Sequence, residues 1–544
     1  MSSEETPNSP PPSPSLLILP RRESFDYGLL PIPNLIFNDG TLTLIPLRDK
    51  LLSVSPRVDA QTLAEALQIS IGDADLVIET LFSVLPADPG NGDERGVDVH
   101  DLLVFLYVQS YKRLVTRPHK DASTVATSMS AFDGCLSALS PLQLVRSNSR
   151  RFMPSQSDDE AHQLSFLQKH MANILTLLAD PVDGDDESLV ITGERFQHLD
   201  LLVQFVENGC EVVPSSKAVP FFVNSDPDML AVPASAAQVL DWVLQNIATS
   251  LEKVLENTPT KENGSTNTLD LDMATADASK ANSTAFSRSQ TFVEGISKTS
   301  VVKQSSDIKG HSVKVLNCQD SVIYILAPLK YATVYGCSES TIVLGAVGKV
   351  VRVEHCERVQ VITATKRICI ANCRDCLFFL GVNQQPLIIG DNHKLQVAPY
   401  NTFYPQLEEH MAQVGINATV NRWAEPRALG MVDPHDSLSH PAGVSDVQAE
   451  SATCLDPDQF TNFVIPKLFG AESTKPTKDN PFPLPESYIE SQKKTHSVLC
   501  DIQQVIRNAQ LEENKKQEVS SALHVHFKDW LYATGNIRQL YCLQ

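Results

Sequence analysis

Two hydrophobic periods divide the chain. Between about 26 and 257, apolar residues recur at three- and four-residue spacing in HDLLVFLYVQSYKRL (100–114), DDEAHQLSFLQKHMANILTLLAD (158–180), ERFQHLDLLVQFVENG (194–209) and SAAQVLDWVLQNIATSLEKVLEN (235–257). That spacing puts the apolar side chains on one face of a helix and predicts a helical domain over 26–257. From 307 to 400 the period drops to two, and β-branched residues and cysteines dominate. Such alternation predicts short strands with one face buried.

The strands repeat. Aligned on cysteine, HSVKVLNC, YATVYGC, VRVEHC and ICIANC end at Cys318, Cys337, Cys356 and Cys373, spaced 19, 19 and 17 residues apart. Five and three residues before each cysteine stand Val313/Val315, Ala332/Val334, Val351/Val353 and Ile368/Ile370. Five and seven residues after it stand Ile323/Ile325, Ile342/Leu344, Val361/Thr363 and Phe378/Leu380. A unit this short cannot bury its apolar face alone, whereas stacked coils bury a continuous one. The fold expected is therefore α plus all-β. An N-terminal helical domain precedes a parallel, right-handed β-helix with structural corner cysteines, and a helical C-terminal tail follows.

Composition fills in the boundaries. Residues 1–25 are Ser/Pro-rich and expected to be a disordered tail, and 258–306 a flexible Ser/Thr/Asn/Lys-rich linker. The β-helix is assigned to 307–420, a loop-rich, Pro-containing segment to 421–487 and the helical tail to 488–544. In that tail Val519, Leu523, Phe527, Trp530 and Leu531 line one face. QLEEHMAQVGI (406–416) suits a helix capping the last coil.

Charge and cysteine content narrow the function classes. Sixty-five acidic against 44 basic residues give a net charge of −21, which argues against nucleic acid as a partner. No run of about 18 apolar residues occurs, so no membrane span is expected. Eleven cysteines without a secretory signal read as reduced thiols, and the expected setting is the cytoplasm or the nucleus.

One motif suggests redox chemistry. CIANCRDC places Cys369, Cys373 and Cys376 at the C-x3-C-x2-C spacing of a radical-enzyme iron–sulfur site. Cys373, however, belongs to the corner series, and Cys369 falls on a strand between inward Ile368 and Ile370, so it points outward. The three thiols would not converge, and no Cys/His set has zinc-site spacing. No metal and no cofactor are expected. His100, His162, His170 and His198 occur singly, without ligand spacing.

The stretch NCQDSVIYILAPLKYATVYGCSESTIVLGAVGKVVRVEHCERVQVITATKRICIANCRDCLFFLGVNQQPLIIGDNHKLQVAPYN resembles the C-CAP/cofactor C-like domain family, related to tubulin-folding cofactor C. The APL after the first coil, the GCS corner, the VLG turn and the closing VAPYN carry the likeness. The resemblance implies a role with tubulin or an Arf-like GTPase. In active relatives a Gln-x-Arg-x-His motif supplies an arginine finger, a guanidinium that neutralises charge on the transferring phosphoryl group, worth roughly 10³–10⁵ in rate.

Threaded on NCRDCLFFLGV, that motif falls on Arg367-Ile368-Cys369-Ile370-Ala371, so Cys369 occupies the arginine position. A register shifted by two instead offers Arg367 as the finger. Arg352, on the same outward stripe as Lys314, Thr333 and Cys369, is a third option. The solvated-face reading of Arg352 and Arg367 stands beside these. Lys314, Arg352, Lys366, Arg367 and Arg374 form the candidate partner-binding surface. By resemblance the expected function is a non-enzymatic scaffold that organises microtubule-based structures at a centrosome or spindle pole, with consequences for Golgi placement and cell morphogenesis. It would bind tubulin, an Arf-like GTPase or other cytoskeletal proteins. The alternative is a GTPase-activating protein.

Overall fold

In a computed structural model of the chain, the structure describes residues 16–86 except six positions between 31 and 39, and 96–109, 156–182, 185–207, 211–222, 233–256, 290–429, 451–465, 480–508 and 512–533. These fall into two compact units, one within 1–288 and the other containing 289–544.

The first unit is built on helices, with small sheets that periodicity does not reveal. Helix Ala236–Glu256 buries Val239, Val243, Ile247 and Ser250 along one stripe and packs against Gln156–Leu178. Helix Val99–Gln109 is buried on nearly every side, as expected of a core helix whose sequence is apolar all round. Its terminal Gln109 is satisfied there: the amide nitrogen donates to the Gly28 carbonyl at 2.9 Å, and the amide oxygen accepts from Leu30 N at 2.8 Å.

Two expectations change in this unit. Residues 16–20 form a buried strand, Leu16–Pro20, antiparallel to Val203–Glu207. Part of the segment read as a disordered tail is thus a strand, because LLILP is apolar enough to complete the sheet despite its Ser/Pro-rich approach. The histidines are not all solitary either, since the His100 and His198 rings stack with centroids 5.3 Å apart.

The second unit is a parallel β-helix of about six coils. Its first coil uses Thr291–Glu294 and Ser300–Gln304, which pair in parallel with Ser312–Leu316 and Val322–Leu326. The solenoid therefore starts inside the stretch read as linker. TFVE and SVVKQ are too short to register as strands alone and gain their partners only from the next coil. At the other end Arg427–Leu429 and Thr453–Cys454 extend the two ladders past residue 420. Every inward position named from the alternation, from Val313 to Leu380, is fully buried.

Each coil turns through the same corner. Two residues in the left-handed region flank a buried residue and its successor: Asn317 and Asp320 around Cys318, His355 and Arg358 around Cys356, Asn372 and Asp375 around Cys373. Left-handed geometry costs roughly 1–2 kcal/mol for a residue with a Cβ, and stacking of the coils offsets it. Corner amides bond from coil to coil, as in Ser338 N to Cys318 O at 2.9 Å, Glu357 N to Cys337 O at 3.0 Å and Arg374 N to Cys356 O at 2.9 Å.

The cysteine thiols donate inward to carbonyls, Cys356 Sγ to Glu354 O at 3.3 Å and Cys373 Sγ to Ala371 O at 3.3 Å. Burial pushes the Cys356 and Cys376 thiols well above the usual range. In the next coil Asn392 takes the corner place, its side-chain oxygen accepting from Cys373 N at 2.8 Å. Cys376 stands three residues past the corner, buried like Ser321, Ser340 and Val359 at the same place in earlier coils.

One sheet of the solenoid is covered on its outer face. Tyr324, Val343, Ile362, Phe379 and Ala398 form an outward row of apolar side chains in register. The segments 451–465 and 480–488 lie over it: Phe463 meets Tyr324 and Phe460 meets Phe379, with ring centroids 6.3 and 6.0 Å apart, and Phe482 meets Tyr400 at 5.5 Å. A strand buried on both faces reads as a continuous apolar run, as in SVIYIL. Gly381 admits this strap, because a Cβ there would stand 2.2 Å from the Phe482 ring.

The capping helix, Leu407–Val414, ends on Gly415 at φ 71° and buries Leu407 and Met411. The tail helix Glu486–Asn508 docks by its first turns, where Ser491 donates to Asp458 at 2.7 Å. Beyond them Val498, Leu499, Ile502 and Val505 are exposed, as are Leu523 and Phe527 of Glu513–Ala533. Among the described residues no helix is long and apolar enough to cross a membrane.

Phe482→Ala is expected to destabilise the second unit by about 3–5 kcal/mol, while Val498→Ser on the exposed tail changes stability by less than about 0.5 kcal/mol. Gly381→Ala should be more damaging alone than in the Phe482→Ala background, because removing the ring removes the clash. Denaturant unfolding of the four variants and the parent measures all three effects.

Candidate partner-binding face of the solenoid

The second sheet leaves an outer face partly open. Its central row runs in strict register from coil to coil: Phe292, Lys314, Thr333, Arg352, Cys369, Leu387 and Arg427. Alternation requires this, since every member lies one residue from an inward-facing neighbour, and parallel pairing without shift keeps the row straight. The next outward row carries Leu316, Tyr335, Glu354, Ala371 and Ile389 in the same order. Phe292 is exposed, and Lys314, Arg352, Cys369, Leu316 and Tyr335 are half-buried.

Arg352 and Cys369 are direct neighbours across adjacent coils, about 4.8 Å apart as strands of one sheet are. Arg352 forms an ion pair with Glu354, and its side chain is 34% exposed. Burial pushes the Cys369 thiol pKa up, opposed by the nearby Arg367 and Arg352 guanidiniums and reinforced by Glu354. A thiol held in its protonated form is not the low-pKa thiolate that nucleophilic catalysis uses.

Arg367 is not on a solvated face. It pairs with Val350 in the row that also holds Tyr331, and only 2% of it is exposed. Thr365 Oγ1 donates to the Val347 and Arg367 carbonyls, both at 3.0 Å. The reason lies at the sheet's edge: Val414 of the capping helix abuts Gly348, and the Lys366 ammonium lies beside Gly415. Outward parity sets direction, and the capping helix removes this end of the face from solvent.

The five residues read as one basic surface are therefore divided. Lys314 and Arg352 share the central row two coils apart, with Cys369 next to Arg352. Lys366 is at the capping helix and Arg367 beneath the surface. Arg374 stands at a corner, bridged to Glu357 and His393 in adjacent coils and 3.6 Å from Asp391. Cys318, Cys337, Cys356 and Cys373 lie inside the coil and take no part in the face.

The sequence reading missed the aromatic contribution of Phe292 and Tyr335. Phe292 lay in the presumed linker, and Tyr335 occupied an outward place scanned only for charge. The Tyr335 ring meets His355 at 5.2 Å. A rigid sheet carrying an aromatic, an arginine beside a thiol and a carboxylate suits recognition of another protein's surface, where aromatic and arginine side chains dominate binding energy.

Comparison with known proteins locates this face within a family. The profile of the family described as TBCC, Tubulin binding cofactor C, matches residues 310–428. TBCC domain-containing protein 1 of Gallus gallus is 31% identical over 243 residues, 45% of this chain and 41% of that protein. The Homo sapiens protein of the same name is 29% identical over the same shares. The one from Danio rerio is 24% identical over 486 residues, 82% of this chain and 74% of its own length. The chain thus spans about two fifths of the chicken and human relatives it matches, and a larger part of the fish one. The solenoid thus matches the TBCC family over residues 310–428, and the chain as a whole is similar to proteins that carry that domain.

Proposed function

We propose that the protein is a non-enzymatic scaffold whose TBCC domain presents the Phe292–Arg427 row to a tubulin-like protein or an Arf-like GTPase. The observation that carries this reading is Cys369. It occupies the outward position at which the family's motif, threaded on the corner and strand that follow, would place its arginine. A thiol cannot neutralise charge on a phosphoryl group, whereas a guanidinium can. Of the two neighbouring arginines, Arg367 is buried and Arg352 is held by Glu354. The family description, tubulin binding, is what favours a tubulin-like partner. A role in organising microtubule-based structures at a centrosome or spindle pole, in cytoplasm and with other cytoskeletal proteins, follows from that partner class and is part of the proposal.

The second reading, a GTPase-activating protein, rests on the partial exposure of Arg352 next to Cys369. Single-turnover GTP hydrolysis by tubulin and by an Arf-like GTPase, with and without the full chain, separates the two. The scaffold reading expects no stimulation by the parent protein or by Arg352→Ala. A hundredfold stimulation abolished by Arg352→Ala would replace it with an enzyme-regulating one. Binding of the same partners, read by sedimentation, should weaken in Arg352→Glu, which reverses the charge beside Glu354.

The thiol itself reports on the face. Its pKa in the folded chain is raised above the ordinary 9.0, so the folded state holds its proton more tightly. Its contribution to stability is full below that value and is lost as pH rises through the folded pKa. At pH 8, Cys369 is expected to alkylate more slowly than exposed Cys454 and Cys500. Arg352→Gln should slow it further by removing an opposing charge. Peptide mass spectrometry after timed labelling measures both, and equal rates at the three thiols would contradict the buried, protonated state.

A further inference from the structure

In the first unit, remote from any sequence motif, strand Val97–Asp98 leads into the buried helix Val99–Gln109. The 3-10 turn His198–Leu201 packs against that helix. The junction gathers Asp98, His100 and His198, each with a donor atom within 4.8 Å of the others. Asp98 Oδ1 lies 3.3 Å from His100 Nδ1 and 3.6 Å from His198 Nε2. A tetrahedral ion with bonds of about 2.0–2.1 Å holds its ligand atoms roughly 3.3 Å apart, and the two separations from Asp98 are close to that.

Two further features point the same way. Asp101 accepts from His198 Nδ1 at 2.8 Å, which leaves Nε2 as the nitrogen that faces Asp98. A carboxylate on the far nitrogen of a ligating histidine is the usual outer support of a metal site. A cation already occupies the neighbourhood: Arg195 Nη1 contacts both ring nitrogens of His100, and its Nε lies 3.5 Å from Asp180. The guanidinium lies against the edge of the His100 ring that a metal would approach.

We infer that Asp98, His100 and His198 form a zinc(II) site, with Asp101 orienting His198 and Arg195 as the internal cation that the metal displaces. Two imidazoles and one carboxylate suit a borderline ion such as zinc and leave a fourth position for water or another oxygen donor. Binding would tie residues 98–100 to residue 198, which stand about a hundred positions apart in sequence, and so link metal to the folding of this unit. The site is independent of the solenoid's function, and its failure would leave that reading untouched.

The test is zinc titration of the chelator-treated full chain by calorimetry, with cobalt(II) absorption as a second readout. Circular dichroism confirms that each variant is folded. One equivalent should bind at micromolar or tighter affinity, and His198→Gln should weaken it at least about tenfold. Asp101→Asn, which touches no metal, should cost about 10–100-fold. Arg195→Ala should tighten binding, an effect that no misfolded variant can imitate. Cys500→Ser, which removes the exposed thiol 3.6 Å from His496, should change nothing. Absence of binding, retention of full affinity in His198→Gln, loss of it in Cys500→Ser, or no gain in Arg195→Ala would each overturn the assignment.

Discussion

The corner of the coil is the constraint on which the solenoid depends. Two left-handed residues, separated by one buried small residue and its successor, reverse the chain direction within four positions. Among the described residues, nine of the ten non-glycine residues at positive φ lie at such corners. A single corner of this kind is unfavourable, because Cβ crowds the following carbonyl. Its exposed amides and carbonyls also lack partners until another coil lies alongside. Stacking solves both problems together, since the neighbouring corner offers complementary groups at the same height. Cysteine fits because its side chain is apolar enough for the interior, short enough for the bend and still able to donate to a carbonyl.

From this follows the straightness of the outer rows. When every corner has the same length, each strand begins at the same height, and residues of equal parity stack without slip. The row Lys314, Thr333, Arg352, Cys369 is a direct readout of the corner spacing. The one shorter interval, 17 residues between Cys356 and Cys373, is absorbed between the sheets, where the pairing shifts by one residue between Leu344 and Ala346 and by another between Val347 and Val350. The rows on either side of that shift remain in register. A face so built is rigid before any partner arrives, so association need not order it, and little of the contact energy is lost to entropy.

The repeat was legible because parity, corner residue and period are all local properties of the chain. What the sequence hid was non-local. LLILP, TFVE and SVVKQ read as nothing in isolation and become strands only when a distant segment or the next coil supplies the ladder. Arg367 and Cys369 have the same parity, yet one is buried and the other half-buried, because a capping helix forty residues later covers one end of the sheet. His100 and His198 meet only because two chain segments converge on one buried helix. In each case the backbone direction was available from pattern and the surroundings were not.

The position of Cys369 shows how sharply this scaffold separates fold from chemistry. Replacing an outward arginine by cysteine on a strand leaves the inward neighbours Ile368 and Ile370, the ladder to Arg352 and Leu387 and both corners untouched. The inward core and the corner hydrogen bonds that stack the coils do not run through the side chain of Cys369. A charge on that row can therefore be kept, paired off or lost while the coil geometry stays the same. One frame can for that reason carry outer rows of different chemistry.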